Sequence, residues 1–107
     1  MFRPMRRTNR AIPEEAAKQL LEQSRRGVLA VNGDDGYPFA FPVNYFYDRE
    51  NAKIYFHGAK TGQKVDALKK SDKVCFTVYG NEHFEPGDWA PYMQSTVVFG
   101  RCRLIED

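Results

Sequence analysis

The first part of the chain has the apolar spacing of an amphipathic helix. Ile12–Glu15 is a favourable start, because proline suits the first helical turn and acidic side chains suit the positive end of the helix dipole. Ala16–Leu21 then repeats alanine and leucine at helical spacing, and Arg25–Gly27 supplies two basic residues and a glycine stop. The pattern predicts a helix over 13–26, preceded by a basic arm over 1–12.

After this helix the pattern changes to short apolar runs separated by turns. Five strands are predicted, at Val28–Val31, Tyr37–Tyr47, Lys53–His57, Lys73–Tyr79 and Ser95–Ile105. A short helix is predicted near 62–71, with Val65 and Leu68 on its inner face. Pro38 and Pro42 cannot donate to a strand ladder, so part of the second strand is predicted to lie at an edge, bulge or bend.

The connection Gly80–Gln94 is predicted to be a loop of fifteen residues that contains Trp89 and three acidic residues. Loops of this length without structure are uncommon and often functional. The loop could form a lid over a bound ligand. The simpler interpretation, which we favour, is a solvated loop with one anchored tryptophan.

The order of these elements favours a mainly β domain spanning 1–107, with antiparallel, Greek-key-like barrel strands over 28–105. A barrel or half-barrel fits, because strands that are apolar on both faces need cover on both. A doubly wound parallel sheet does not fit, because a strand–helix–strand unit occurs only once.

Charge argues against a nucleic-acid partner. The net charge is +2, but residues 1–10 hold four arginines and no acid, so the other 97 residues carry 12 basic and 14 acidic side chains. Any polyanion would have to bind the short arm alone.

The longest uncharged runs have 12 residues, whereas a membrane-spanning helix needs about 20.

Cysteine and histidine usage predicts neither a disulfide scaffold nor a metal site. Cys75 and Cys102 lie far apart in apolar runs, and with His57 and His83 no two potential ligands are closer than eight positions. We therefore expect reduced, buried cysteines in a cytoplasmic protein. No apolar segment typical of a secretory signal follows the charged N-terminus.

The segment Ile54–Lys64 carries the strongest candidate chemistry. It is predicted to be a strand end, a turn of small residues and a helix start, flanked by Lys60 and Lys64. Thr61 could cap the helix or donate its hydroxyl. Free N–H groups at a helix start beside positive charge form a plausible phosphate seat, although the spacing is neither a Walker A loop nor GxGxxG. The alternative is an ordinary strand-to-helix turn with solvated lysines.

Four motifs in order resemble the pyridoxamine 5′-phosphate oxidase-like FMN-binding split barrels, and more narrowly the branch related to 5-nitroimidazole-resistance proteins. They are Pro42–Tyr45, Ile54–Ala59, Gly62–Lys64 and Val97–Arg101. Met5-Arg6-Arg7 with the first helix and the following strand matches that branch too. The resemblance implies an FMN-binding split β-barrel with an N-terminal helix and one short helix between strands.

The resemblance also implies FMN in a groove at a homodimer interface. The implied cofactor contacts are Val43, Asn44, His57, Ala59, Lys64, Ser95 and Val97. Val43 and Asn44 would follow the ring system, His57 and Ala59 would lie near the ribityl chain and phosphate, and Lys64 would be the basic phosphate ligand. His57 is also the candidate catalytic residue, as hydrogen-bond donor or proton source. Gln63 stands where the wider family often has arginine, which leaves one charge fewer.

The expected function is that of an FMN-dependent oxidoreductase passing electrons from a nicotinamide donor, NADH or NADPH, to a small molecule. The alternative is a flavin- or haem-binding module without turnover, with His57 or His83 as an axial ligand. Family members continue past the fifth strand, whereas this chain stops at Asp107. We expect either completion of the barrel by a dimer partner or a truncated chain with an open edge.

Overall fold

The computed structural model describes residues 2–3, 5, 11–58 and 61–105. Its elements are α1 (Glu14–Gln23), β1 (Arg26–Asn32), a 3-10 turn (Asp34–Gly36), β2 (Pro38–Asp48), β3 (Lys53–Phe56), α2 (Gln63–Lys70), β4 (Lys73–His83) and β5 (Tyr92–Arg101). The predicted order of helices and strands is confirmed.

The strands form one antiparallel sheet in the order β3-β2-β1-β4-β5. The chain makes the meander β1-β2-β3 and then returns through α2 to place β4 beside β1. This is the Greek-key arrangement. It confirms the mainly β, Greek-key-like prediction and puts β3 and β5 at opposite edges of the sheet.

One face of the sheet carries the core, and both helices pack on it. Alternate residues of each strand point to this face, as strand geometry requires. The buried cluster consists of Leu20, Leu21, Leu29, Val31, Phe41, Ala67, Phe76 and Val78. The opposite face, called the outer face here, has no helix on it among the described residues.

The first helix is shorter than the predicted 13–26. It ends at Gln23, because Ser24 is already extended and the carbonyl of Arg25 accepts a hydrogen bond of 3.1 Å from the amide of Tyr45 on β2. Gly27 is not a helix stop. It lies within β1, where an added Cβ would overlap the Phe76 ring and come within 2.8 Å of the Thr77 carbonyl oxygen.

The predicted fifteen-residue loop is instead the end of a hairpin. β4 continues to His83 and β5 begins at Tyr92, so the connection is residues 84–91. A β-bulge lies between Gly80 and His83, and Asn81 has a positive φ of 55°. The fifth strand also stops at Arg101 rather than Ile105. There the amide of Cys102 donates to the Asp72 carbonyl at 2.8 Å.

Candidate functional site

The second strand has an open edge where the sequence predicts the cofactor. β1 pairs with residues 38–44 of β2, whereas β3 pairs only with residues 45–48. Within the described residues, the half of β2 from Pro38 to Asn44 therefore has a strand on one side only. This confirms the edge predicted from Pro38 and Pro42. It also leaves backbone polar groups available beside Val43.

His57 follows β3 at the point where this open edge begins. The β2–β3 register pairs Tyr45 with Phe56, and one further step in that register sets His57 opposite Asn44. The His57 side chain is exposed. Ala59 and Lys60 lie outside the described residues.

The second helix begins without a side-chain cap. Its N-cap is Gly62, with φ at 123°, and no side chain of the described residues accepts a hydrogen bond from the first turn. Thr61 therefore does not act as the cap. The first backbone N–H groups of an α-helix have no partner within the helix, so they can receive an anion.

Lys64 lies on the first turn of α2 and reaches the same stretch of β2. Its ammonium nitrogen is 4.4 Å from the centroid of the Phe41 ring, an attractive cation–π distance. The side chain itself is exposed, whereas Phe41 is buried. Lys64 and the uncapped helix start therefore lie beside the open edge.

Val43 and Asn44 point to opposite faces of β2. Val43 packs against the core, and Asn44 is exposed on the outer face. The Nε of Arg26, the register partner of Asn44 on β1, donates to Asn44 Oδ1 at 3.1 Å. Sequence reasoning assigned Arg26 to the last turn of the first helix and so missed this contact.

Ser95 and Val97 lie elsewhere on the sheet. Both are exposed on the outer face of β5, opposite Tyr79 and Thr77. Continuing the β1–β4 register puts Asn44, Arg26, Tyr79 and Ser95 in one row across the sheet. Asn44 and Ser95 are thus three strand spacings apart, about 14 Å along the sheet. Within one chain, His57 lies in register with Asn44 and Lys64 contacts Phe41, all along the open part of β2, whereas Ser95 and Val97 lie on β5.

A groove of about 900 Å³ lies between the end of α1 and β2, and we call it the arginine groove. Its lining includes Ser24, Arg25, Arg26, Asn44, Phe46 and Tyr47. Tyr45 forms part of its base, and its hydroxyl donates to the Leu21 carbonyl at 2.6 Å. Burial raises the pKa of Tyr45, so the hydroxyl keeps its proton and remains a donor at neutral pH.

The other candidate metal or haem ligands, which are His83 and the two cysteines, do not gather into a metal site among the described residues. His83 contacts Glu85 at 3.3 Å and stacks on Tyr92 at the end of the β4–β5 hairpin. Both cysteines are free thiols, and burial raises the pKa of each. The described residues contain no group of three or more His, Cys, Asp or Glu side chains that could hold a metal ion. No helix in the described part of the chain is long and apolar enough to cross a membrane.

The chain is similar to several solved structures. A protein assigned to 5-nitroimidazole antibiotic resistance from Bacteroides thetaiotaomicron has a TM-score of 0.78 at 20% identity, covering 89% of this chain and 57% of its own. A FAD-binding protein from Mesorhizobium loti has a TM-score of 0.68 at 24% identity, covering 84% and 58%. A FAD- and haem-binding protein from Mycobacterium smegmatis has a TM-score of 0.68 at 19% identity, covering 85% and 45%.

These TM-scores establish a shared fold. The chain spans less than three fifths of the length of each of these three structures. No curated protein sequence matches it significantly. A family model described as pyridoxamine 5′-phosphate oxidase matches residues 13–107, which is most of the chain. The chain therefore belongs to the pyridoxamine 5′-phosphate oxidase family, with the split-barrel fold that the motifs predicted.

Proposed function

We propose that the protein binds FMN at the open edge of β2 and acts as an oxidoreductase. In this proposal it transfers electrons from a nicotinamide donor to a small acceptor. The observation that carries the proposal is a juxtaposition. The unpaired half of β2 lies beside the uncapped start of α2 and the ammonium group of Lys64.

The start of α2 fits the phosphate of FMN. Its first N–H groups have no side-chain cap among the residues that the structure describes, and Lys64 adds a positive charge on the same turn. Asp66 on that turn and Gln63 at the usual arginine position make the seat less positive than a two-cation seat. Such a seat suits one terminal phosphate, whereas a pyrophosphate is usually held by a longer glycine-rich loop.

The open edge of β2 fits the polar rim of a flavin ring. Backbone N–H and C=O groups beside Val43 have no neighbouring strand among the described residues, and a flavin rim offers both donors and acceptors. FMN, when bound, supplies the centre that accepts and releases electrons. The chain's own residues bind it and orient it.

His57 would hold or move a proton beside this site. Its imidazole is exposed and lies one register step beyond β3, opposite Asn44. A neutral imidazole carries one N–H donor and one nitrogen acceptor, so it can take a proton on one nitrogen and release one from the other. Acceptor turnover that is unchanged in His57→Gln would leave His57 with a structural role only.

Ser95 and Val97 would reach the cofactor from a second copy of the chain. They lie about 14 Å from Asn44 along one sheet, so one chain does not bring them to the same ring. The outer face around them is apolar and largely exposed, with Val97 54% and Phe99 53% exposed, and the Phe2 ring stacks on Phe99 with 4.7 Å between the ring centroids. An apolar face of this kind favours burial against a partner, and we propose a homodimer with FMN at its interface.

The visible absorption spectrum of the purified protein tests this proposal. We expect two flavin bands after addition of FMN and desalting, and bleaching of the longer-wavelength band by NADH or NADPH under anaerobic conditions. Retained flavin without bleaching would overturn the oxidoreductase role and leave a flavin-binding module. No retained flavin at any FMN concentration would overturn the site.

The free thiols suit a reducing compartment, so we place the protein in the cytoplasm.

A further inference from the structure

The arginine groove contains two guanidinium groups that have no acidic partner in the described part of the chain. Arg25 and Arg26 both line it, and neither forms an ion pair with any described residue. Glu22 also lines the groove, but its carboxylate contacts Arg49 at 2.6 Å. Arg25 and Arg26 are positive and Glu22 is negative, so the charged side chains of the lining have a net charge of +1.

Arg26 and Asn44 present hydrogen-bond donors to this groove. The Arg26 Nε–H donates to Asn44 Oδ1, which orients the guanidinium and occupies one of the two lone pairs of the amide oxygen. The Nη groups of Arg26 and the Nδ2 group of Asn44 remain, and all of them are donors. A planar guanidinium with a free edge matches a carboxylate through two parallel hydrogen bonds.

The groove also offers aromatic surface beside these donors. Phe46 and Tyr47 line it, and Phe46 is 67% exposed. Phe46 is two residues beyond Asn44 on the same face of β2, so its ring adjoins the donor pair. Tyr45 holds the groove in shape by its hydrogen bonds to Leu21 and Arg25.

We propose that the arginine groove binds a planar aromatic carboxylate. The carboxylate is held by Arg26 and Asn44, with Arg25 adding charge, and its ring lies against Phe46. One net positive charge matches a carboxylate rather than a doubly charged phosphate ester. Because Asn44 is in register with His57, this ligand is the substrate of the flavin site, and that assignment alone rests on the proposed function.

The test is a titration of the flavin-free protein with benzoate, followed by NMR of the Asn44 side-chain amide and the Arg26 Nε–H. Benzamide, which has the same shape without the charge, and phenyl phosphate are titrated in parallel. We expect saturable benzoate binding with shifts at both groups, at least tenfold weaker binding of benzamide, and weaker binding of phenyl phosphate.

Two variants and a control complete the test. Arg26→Gln should weaken benzoate binding about tenfold or more, because a charge-assisted bidentate contact is lost. Asn44→Asp should abolish it, because a carboxylate then faces the ligand. Lys69→Gln removes an exposed charge from α2 outside the groove and should change the affinity less than twofold.

The outcomes separate this inference from the proposed function. Equal binding of benzoate and benzamide, or benzoate binding that is unchanged in Arg26→Gln, would overturn the carboxylate site even if FMN binds. Tighter binding of phenyl phosphate would overturn the choice of carboxylate. Benzoate binding by a protein that never retains FMN would establish the site and overturn its role as a substrate site.

Discussion

The hydroxyl of Tyr45 on β2 donates a hydrogen bond of 2.6 Å to the main-chain carbonyl of Leu21 near the end of α1. The last carbonyls of a helix have no partner within the helix, so this side chain satisfies one of them. The amide of the same residue donates to the Arg25 carbonyl at 3.1 Å. Tyr45 thus fixes both the end of α1 and the start of the arginine groove.

Removal of this hydroxyl should lower stability. We expect Tyr45→Phe to reduce the free energy of unfolding by about 1 kcal/mol, because a partly buried carbonyl loses its donor. Urea unfolding of both proteins measures this. Tyr55→Phe is the matched control, since Tyr55 is 42% exposed and its hydroxyl has no hydrogen-bond partner among the described residues. An equal loss in both variants would contradict a specific role for Tyr45.

Gly27 should not accept a side chain. An alanine Cβ there would overlap the Phe76 ring, which also packs edge-on against Tyr45, and we expect Gly27→Ala to cost about 1–3 kcal/mol. Gly100→Ala is the control, because no atom of the described residues lies within 4 Å of a Cβ at that strand position. Thermal unfolding measures both. The double variant Gly27→Ala with Phe76→Leu should lose less than the two single losses combined, and simple additivity would contradict the proposed overlap.

Arg49 joins the β2–β3 turn to α1 through Glu15 and Glu22. Its guanidinium holds the pKa of the Glu15 carboxyl below the ordinary value of 4.5. A lowered carboxyl pKa adds stability that is complete above 4.5 and is lost as the pH falls through the folded-state pKa. Arg49→Gln should therefore be less stable than the wild type at neutral pH, and the difference should fade in acid.

Urea midpoints of the two proteins across this pH range measure the effect. High salt at neutral pH should shrink the difference as well, because both partners are exposed. A difference that is independent of pH and salt would show that Arg49 stabilises the turn in another way.

The outer face should mediate self-association. We expect Phe99→Asp to convert a dimer to a monomer in sedimentation velocity and to weaken FMN binding with it, because a charge would enter the apolar interface. Phe84→Asp changes another exposed phenylalanine, in the hairpin connection, and should leave the dimer intact. A wild-type protein that is monomeric at every concentration would contradict the shared site.

The element order and the alternation of β2 and β4 were predictable, because they are local patterns of apolar residues. The end of α1 was not, since a tertiary contact between Arg25 and Tyr45 overrides helix signals that the local sequence carries. The same contact explains why Arg26 lies at the start of β1 and not in the last turn of the first helix, as predicted. The hairpin length was missed because turn-forming residues such as Gly80 lie inside β4 at a bulge.

The candidate site was predictable in part for a related reason. His57 lies opposite Asn44 and Lys64 contacts Phe41, because β3 and α2 follow one another along the chain beside β2. The separation of Ser95 from Asn44 depends on sheet order and register, which no single segment encodes. Ala59 lies outside the described residues, so its assignment stays a prediction.

The most direct test of FMN binding at the start of α2 compares two ligands in two variants. FMN and riboflavin differ only by the phosphate, and their dissociation constants are measured by quenching of flavin fluorescence. Lys64→Ala should weaken FMN binding about tenfold or more, because a charge-assisted phosphate contact is lost, and leave riboflavin binding unchanged. The control Lys69→Ala should alter neither. An equal effect of Lys64→Ala on both ligands, or none on FMN, would contradict the account.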